Sequence, residues 1–328
     1  MEPARPDILV AAPLPPFTMD ALEAGFTVHR LWQGVADDVF ARVRGMAAST
    51  LAGPVGKALF AQMPALEIIA NFGVGYDNID IAAAVARGLV VTNTAGVLDE
   101  EVADLTLGLL LATLRRIPAA ERFVRDRRWT EGDFPLSPSL RGRRVGIVGL
   151  GGIGKAIARR LEGFAVEIAY HGRTVQPGLA YPWFPSAQAL AQACDVLIVI
   201  VPGGAATRHL VDARVLAALG ADGVLINVSR GTVVDEAALI AALRDGTILA
   251  AGLDVFEREP HVPEALLACD NAVLLPHIGS ASVVTRRAMG QMMADNLTAW
   301  FTTGRALTPV PETRYQVSIS APPVSAKA

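Results

Sequence analysis

Val145-Gly146-Ile147-Val148 runs straight into Gly149-Leu150-Gly151-Gly152-Ile153-Gly154, and an amphipathic stretch from Lys155 to Leu161 follows at once. A short buried strand, a glycine turn and a helix in immediate succession leave few folds open. The first glycine permits the tight turn, the second lets the backbone approach a pyrophosphate, and the third brings helix against sheet. The helix N-terminus then offers amide donors and partial positive charge to phosphate oxygens. The segment therefore predicts a dinucleotide-binding sheet, with Gly149, Gly151, Gly152, Ile153 and Gly154 against the cofactor.

Short aliphatic runs alternate with amphipathic stretches along most of the chain, the pattern of parallel strands joined by crossover helices. The predicted class is α/β. One series of strands reads Ile8 to Ala12, Val28 to Leu31, Gly45 to Ser49, Ile68 to Asn71 and Val90 to Asn93. A second reads Val145 to Val148, Glu167 to Tyr170, Val196 to Val201, Gly223 to Asn227, Ala250 to Leu253 and Val273 to Leu275. At 328 residues the chain is long enough for two cores. The expectation is two Rossmann-like, doubly wound parallel-sheet domains with a cleft between them. Residues 1–99 with 283–316 form a discontinuous substrate domain, closed by a helix over Ser282 to Thr303. Residues 100–282 form the dinucleotide domain, and 317–328 a flexible tail.

Lys+Arg number 29 against 32 Asp+Glu, a net charge of −3, so no basic surplus exists to neutralise nucleic acid. The longest apolar run, Leu105 to Leu114, is far shorter than the roughly 20 residues a membrane helix needs. The N-terminus lacks the pattern of a secretory signal, and a cytoplasmic address is the expectation. Cys194 and Cys269 lie in apolar stretches without partners at ligand spacing, which predicts reduced core thiols and no metal site.

Where an NAD site carries a carboxylate, about 20 positions past the glycine turn, this chain has His171-Gly172-Arg173-Thr174. An acidic residue there would accept from a ribose 2′-hydroxyl and repel a 2′-phosphate; Arg173 can fork onto phosphate oxygens, with Thr174 and His171 beside it. NADPH is the expected cofactor and NADH a secondary one. Three further residues follow strand ends, where open α/β sheets bind ligands. Arg230, in Asn227-Val228-Ser229-Arg230-Gly231, suits a carboxylate and an adjacent carbonyl oxygen. His277 follows Pro276 and suits proton donation, since imidazole titrates near neutrality. Glu259, before Pro260, suits an orienting carboxylate.

Asn71 to Asp80, the glycine turn, Asn227 to Asp235, Gly252 to Pro260 and Pro276 to Ser280 together resemble the D-isomer-specific 2-hydroxyacid dehydrogenase family. The resemblance implies that Arg230, Glu259 and His277 form the catalytic set. It implies that amides around Val74 and Gly75, with Arg230 and Ser280, hold the substrate. Thr106, Pro202, Thr207, Val228, Asp254 and His277 complete the implied cofactor contacts. Within the family, His171 to Thr174 and Val255 to Pro260 look most like NADPH-dependent glyoxylate, hydroxypyruvate and hydroxyphenylpyruvate reductases acting on a small 2-oxo acid. Relatives pair through the apolar helix after Asp99 and its charged successor, which implies a homodimer. The alternatives are an NAD-linked phosphoglycerate or lactate dehydrogenase, and a non-enzymatic dinucleotide-sensing interaction protein. The pocket lining is expected around Leu51, Leu98 and Trp300.

Overall fold

The structure, a computed structural model, describes residues 5–314. The expected tail at 317–328 lies outside the described residues. The chain divides into two compact units: one takes the chain up to Leu98 and again from Ser282, the other is Asp99–Ala281.

The first unit holds β1 (Asp7–Val10), β2 (Thr27–Arg30), β3 (Gly45–Ser49), β4 (Ile68–Phe72) and β5 (Val90–Thr92), ordered β2-β1-β3-β4-β5. Every pairing is parallel. Strands β3 and β4 are buried at all positions, which is why they read as unbroken small or aliphatic runs rather than alternating ones. Edge strand β2 keeps polar side chains, and its His29 donates to Asp7 at 2.6 Å. The helix Val283–Thr303 starts at Ser282, whose hydroxyl accepts from Thr285 N, and stops at Gly304 in the left-handed region. It packs on β4 and on the helix Pro16–Gly25. At Gly290 a Cβ would come within 2.2 Å of Thr18 Oγ1, so the two helices approach too closely for a larger residue.

The second unit holds β6 (Arg144–Val148), β7 (Glu167–His171), β8 (Trp183–Phe184), β9 (Val196–Val199), β10 (Val224–Asn227), β11 (Ala250–Leu253) and β12 (Ala272–Leu274). The order is β12-β11-β10-β9-β6-β7-β8, again parallel throughout. Seven strands replace the six expected. The addition, β8, is two residues long behind Pro182, too short to leave a periodic signal. Winding reverses between β6 and β9, and the carboxyl ends there are where such sheets receive ligands. The helix Asp99–Leu114 lies on β11, where a Cβ at Gly252 would meet Thr113 Oγ1 at 2.5 Å. Cys194 and Cys269 are free and buried, as read from the sequence. Burial pushes the Cys194 thiol up to about 12, which makes it a poor nucleophile near neutral pH.

Candidate active site

The glycine turn sits at the carboxyl end of β6, beside the reversal point. Gly149 has φ +101°, and a Cβ there would lie 2.2 Å from Ile200 O, so both the conformation and the neighbouring strand demand glycine. Around Gly151 a Cβ would meet nothing within 4 Å, which leaves the open face a phosphate needs. Gly154 packs on Gly149 O, where a Cβ would come to 2.1 Å, and this seats the helix Gly152–Glu162 against the strand. Gly152 has a different reason: the Asp99 carboxylate occupies the position a Cβ would take, with Oδ2 at 2.2 Å from it. The sequence alone gave no sign of that contact. These residues fit a dinucleotide pyrophosphate.

The loop after β7 is tied to the same turn. Gln176 Nε2 donates to Leu150 O at 2.8 Å, Gln176 N donates to the buried Tyr170 hydroxyl at 2.8 Å, and Trp183 Nε1 donates to Gly172 O. His171 is half-buried and its Nδ1 donates to Phe184 O at 2.9 Å, so β8 fixes the ring. Arg173 and Thr174 are exposed, and Arg173 enters none of the ion pairs among the described residues. No carboxylate lies in His171 to Thr174 to oppose a 2′-phosphate.

Arg230 stands in a turn that its neighbours build. Asn227 Nδ2 donates to Arg230 O at 3.1 Å, while Asn227 Oδ1 accepts from Ser229 N and Ser229 Oγ. One buried amide side chain thus shapes the whole Asn-x-x-Arg turn. Gly231 must be glycine, because a Cβ would fall 1.8 Å from Phe256 C. The Arg230 turn therefore lies directly against the backbone of the segment leading to Glu259. Val228 is buried, and its N–H donates to Val199 O.

Glu259 and His277 meet. His277 Nδ1 donates to Glu259 Oε2 at 2.7 Å, and the other oxygen, Oε1, accepts from Phe256 N at 3.1 Å. The carboxylate is held at both oxygens, which fixes the imidazole tautomer and leaves Nε2 for proton transfer. Burial works to raise the Glu259 carboxyl, yet the hydrogen bond and charge of His277, the Phe256 amide and the charge of Arg230 outweigh it. The group is held below its ordinary value of 4.5. His277 itself has φ +54°, a left-handed conformation that costs a non-glycine residue about 1–2 kcal/mol. Asp254 holds that turn: Oδ1 accepts from Ile278 N at 2.7 Å and Oδ2 from Gly279 N at 2.8 Å. Its carboxyl is pushed up by burial, against the pull of those two amides. Both Asp254 oxygens face the His277 turn, a positioning role the sequence reading did not give it. Ser280, next in the chain, is half-buried.

In the first unit, the segment after β4 forms an amide-rich turn. Asn71 Nδ2 donates to Gly73 O at 3.0 Å and Gly75 O at 2.9 Å, Asn93 Nδ2 donates to Val74 O at 2.9 Å, and Thr94 N donates to Gly73 O. Three successive carbonyls are consumed. The amides of Val74 and Gly75 donate to no carbonyl among the described residues, which is what an anion-binding turn requires.

One expectation needs correction. Thr106 has no exposed surface and its hydroxyl donates to Val102 O at 2.7 Å within its own helix, so it offers a ligand no contact in this conformation. Trp300 is buried in the first unit, and its indole N–H donates to Glu67 Oε2 at 3.1 Å. Leu98 is likewise buried, and the side chain of Leu51 lies outside the described residues. Thr207 is half-buried and bonds back to Pro202 O at 2.6 Å, closing the loop after β9, and Pro202 is exposed.

Residues 107–279 match the family model for the NAD binding domain of D-isomer specific 2-hydroxyacid dehydrogenases. The chain is 44% identical over 308 residues to a glyoxylate/hydroxypyruvate reductase of Arabidopsis thaliana, covering 92% of this chain and 98% of the relative. It is 42% identical to the hydroxyphenylpyruvate reductase of Plectranthus scutellarioides, with the same coverage of 92% and 98%. Among solved structures, the NADPH-dependent glyoxylate/hydroxypyruvate reductase of Sinorhizobium meliloti, in complex with NADP and malonate, is 55% identical. It superposes with a TM-score of 0.92 over 96% of this chain and 99% of that one.

Proposed function

The chain belongs to the D-isomer specific 2-hydroxyacid dehydrogenase family, and we propose that it reduces a small 2-oxo acid of the glyoxylate or hydroxypyruvate type to the D-2-hydroxy acid with NADPH. The observation that carries this reading is the imidazole of His277 fixed at Nδ1 by Glu259, at the carboxyl end of the sheet that bears the glycine turn. Gly149, Gly151, Gly152, Ile153 and Gly154 would hold the pyrophosphate, and Arg173 with Thr174 and His171 the 2′-phosphate. Pro202, Thr207 and Val228 would border the cofactor. NADPH, when bound, supplies the hydride.

The remaining chemistry falls to the chain's own side chains. Arg230 takes the substrate carboxylate and polarises the ketone oxygen, with the amides of Val74 and Gly75 as further carboxylate donors and Ser280 beside the substrate. His277 Nε2 delivers a proton to the ketone oxygen, and Glu259 stabilises the imidazolium beforehand. Asp254 keeps the His277 turn in place through two amides.

We also propose that the enzyme works as a homodimer. Support comes from apolar side chains left in solvent on and after the helix Ile117–Arg125: Ile117, Val124, Trp129 and Leu136 are all exposed. Sedimentation velocity giving a single monomer would overturn this. A cytoplasmic location belongs to the same proposal; among the described residues no helix is long and apolar enough to cross a membrane.

Loss of NADPH absorbance with glyoxylate, hydroxypyruvate, phenylpyruvate and 2-oxobutyrate, each repeated with NADH, tests the reading. NADPH consumption with at least one of the first two is expected. No consumption with any 2-oxo acid would refute it.

A further inference from the structure

The catalytic pair is not the only histidine and carboxylate pair in the second unit. His209 Nε2 donates to Glu257 Oε1 at 2.6 Å, and its Nδ1 lies 3.8 Å from Asp235 Oδ2. We propose that His209 is a positioning residue for the cofactor, clamping the loop between β9 and the helix Ala213–Leu219 onto the segment that carries Glu259. The inference rests on the function proposed above only in taking this loop to border the cofactor.

Left to itself, the loop is poorly anchored. Pro202-Gly203-Gly204-Ala205-Ala206-Thr207-Arg208 contains no large apolar side chain, and Gly204 sits at φ +124°. Its internal bonds, Thr207 Oγ1 to Pro202 O and Thr207 N to Gly204 O, close the loop on itself without attaching it to the sheet. Attachment begins at His209. Its N–H donates to Thr232 O at 2.9 Å, and Val211 N follows onto Val233 O. The residue adopts φ +51°, which a non-glycine residue keeps only when its surroundings hold it from both sides. Backbone on one side and the imidazole on the other do so.

Glu257 is placed to transmit that hold. Its N–H donates to Glu236 Oε2 at 3.3 Å, and it follows Phe256, whose N–H holds Glu259. The Gly231 turn rests on the same Phe256 to Glu257 backbone. Asp235 also caps the next helix, accepting from Ala238 N at 3.0 Å. Cofactor loop, Arg230 turn and Glu259 segment thus converge on one side-chain pair, whose members lie 48 residues apart in sequence.

A clamp of this kind acts by keeping the loop in its binding-competent arrangement. Releasing it weakens the apparent affinity by the fraction of time the loop spends elsewhere, without altering the bound state. NADPH affinity is read by calorimetric titration, and turnover separately at saturating NADPH. If the competent fraction falls to roughly a tenth, His209→Ala raises the NADPH dissociation constant about tenfold while kcat and the KM for glyoxylate stay within about twofold. His209→Gln, which keeps a donor near the Nε2 position, restores most of the affinity, and His209→Ala with Glu257→Gln is no weaker than His209→Ala alone. A purely structural histidine would lower the melting temperature and leave the dissociation constant unchanged, and that result overturns the proposal. So does a fall in kcat with unchanged NADPH affinity. If His209→Ala does not fold, Glu257→Ala carries the same expectation and the same refutation. NADPH binding without reduction of any 2-oxo acid would sink the proposed function and leave the clamp standing, because the clamp is read from binding.

Discussion

The two units use one construction, a parallel sheet whose first strand turns directly into a helix, and they fill that turn with opposite chemistry. In the second unit the turn is Gly149 to Gly154, with open space at Gly151 and backbone packed too closely at Gly149 and Gly154 for any side chain. In the first, β1 is followed by Ala11-Ala12-Pro13-Leu14-Pro15-Pro16, and the helix begins with Pro16 at its first position. Three prolines remove three N–H donors from the place where phosphates would need them. The fold alone does not create a dinucleotide site; the residues in a single turn do. The first unit instead has its amide-rich turn after β4, the feature proposed to bind an anion, where Asn71 and Asn93 consume the carbonyls of Gly73, Val74 and Gly75. The side chains proposed to move protons belong to the second unit, and the backbone proposed to grip charge belongs to both.

That division is open to attack by substitution. The largest effect is expected at the proton donor: His277→Gln should lose roughly 100- to 10,000-fold in kcat with NADPH affinity unchanged. Steady-state turnover paired with calorimetric NADPH titration checks it, and near-normal kcat would mean the second unit's acid lies elsewhere. Next comes the first unit's turn. Asn71→Leu removes the donor to Gly73 O and Gly75 O, a loss of about 1–3 kcal/mol that should appear as a KM for 2-oxo acid raised roughly tenfold or more, with NADPH affinity intact. If NADPH affinity fell instead, the two units would not divide the anions as described.

Arg173→Asp should weaken NADPH by about tenfold and spare NADH, since a charge-assisted contact to the 2′-phosphate is exchanged for repulsion. Equal changes for both cofactors would separate Arg173 from the phosphate. The smallest effect concerns acid stability. Glu259 has a native value below 4.5, so its contribution is complete above pH 4.5 and is lost as pH falls through the native value. Asp254 runs the other way: its native value is raised above 3.8, so its contribution is complete below pH 3.8 and is lost as pH rises through the native value. Glu259→Gln should therefore flatten the fall in melting temperature below pH 4.5 while the opposing Asp254 slope persists. Parallel curves for variant and wild type would contradict the assignment.

Much of this was legible in the sequence because it rests on local rules. Strands such as Gly45–Ser49 and Ala250–Leu253 are buried runs between turns, and the glycine turn carries its reasons in its own spacing. Arg230, Glu259 and His277 were nameable because each follows a strand end. What escaped depends on groups distant along the chain. Asp99 explains Gly152, Asp254 explains the left-handed His277 turn, and His209 finds Glu257, each across tens of residues with no periodicity to mark the pairing. The roles of Asn71 and Asn227 as turn builders escaped for a related reason. An amide that shapes a backbone looks, in sequence, like any loop asparagine.

The account turns on where the ketone oxygen lies when substrate is held. A crystal structure with NADPH and oxamate, an unreactive 2-oxo acid mimic, measures this directly. The account predicts the oxamate carbonyl oxygen at about 3 Å from His277 Nε2 and within hydrogen-bond reach of the Arg230 guanidinium. An imidazole still paired with Glu259 but turned from the oxamate, or an oxamate carboxylate bound without Arg230, would contradict it.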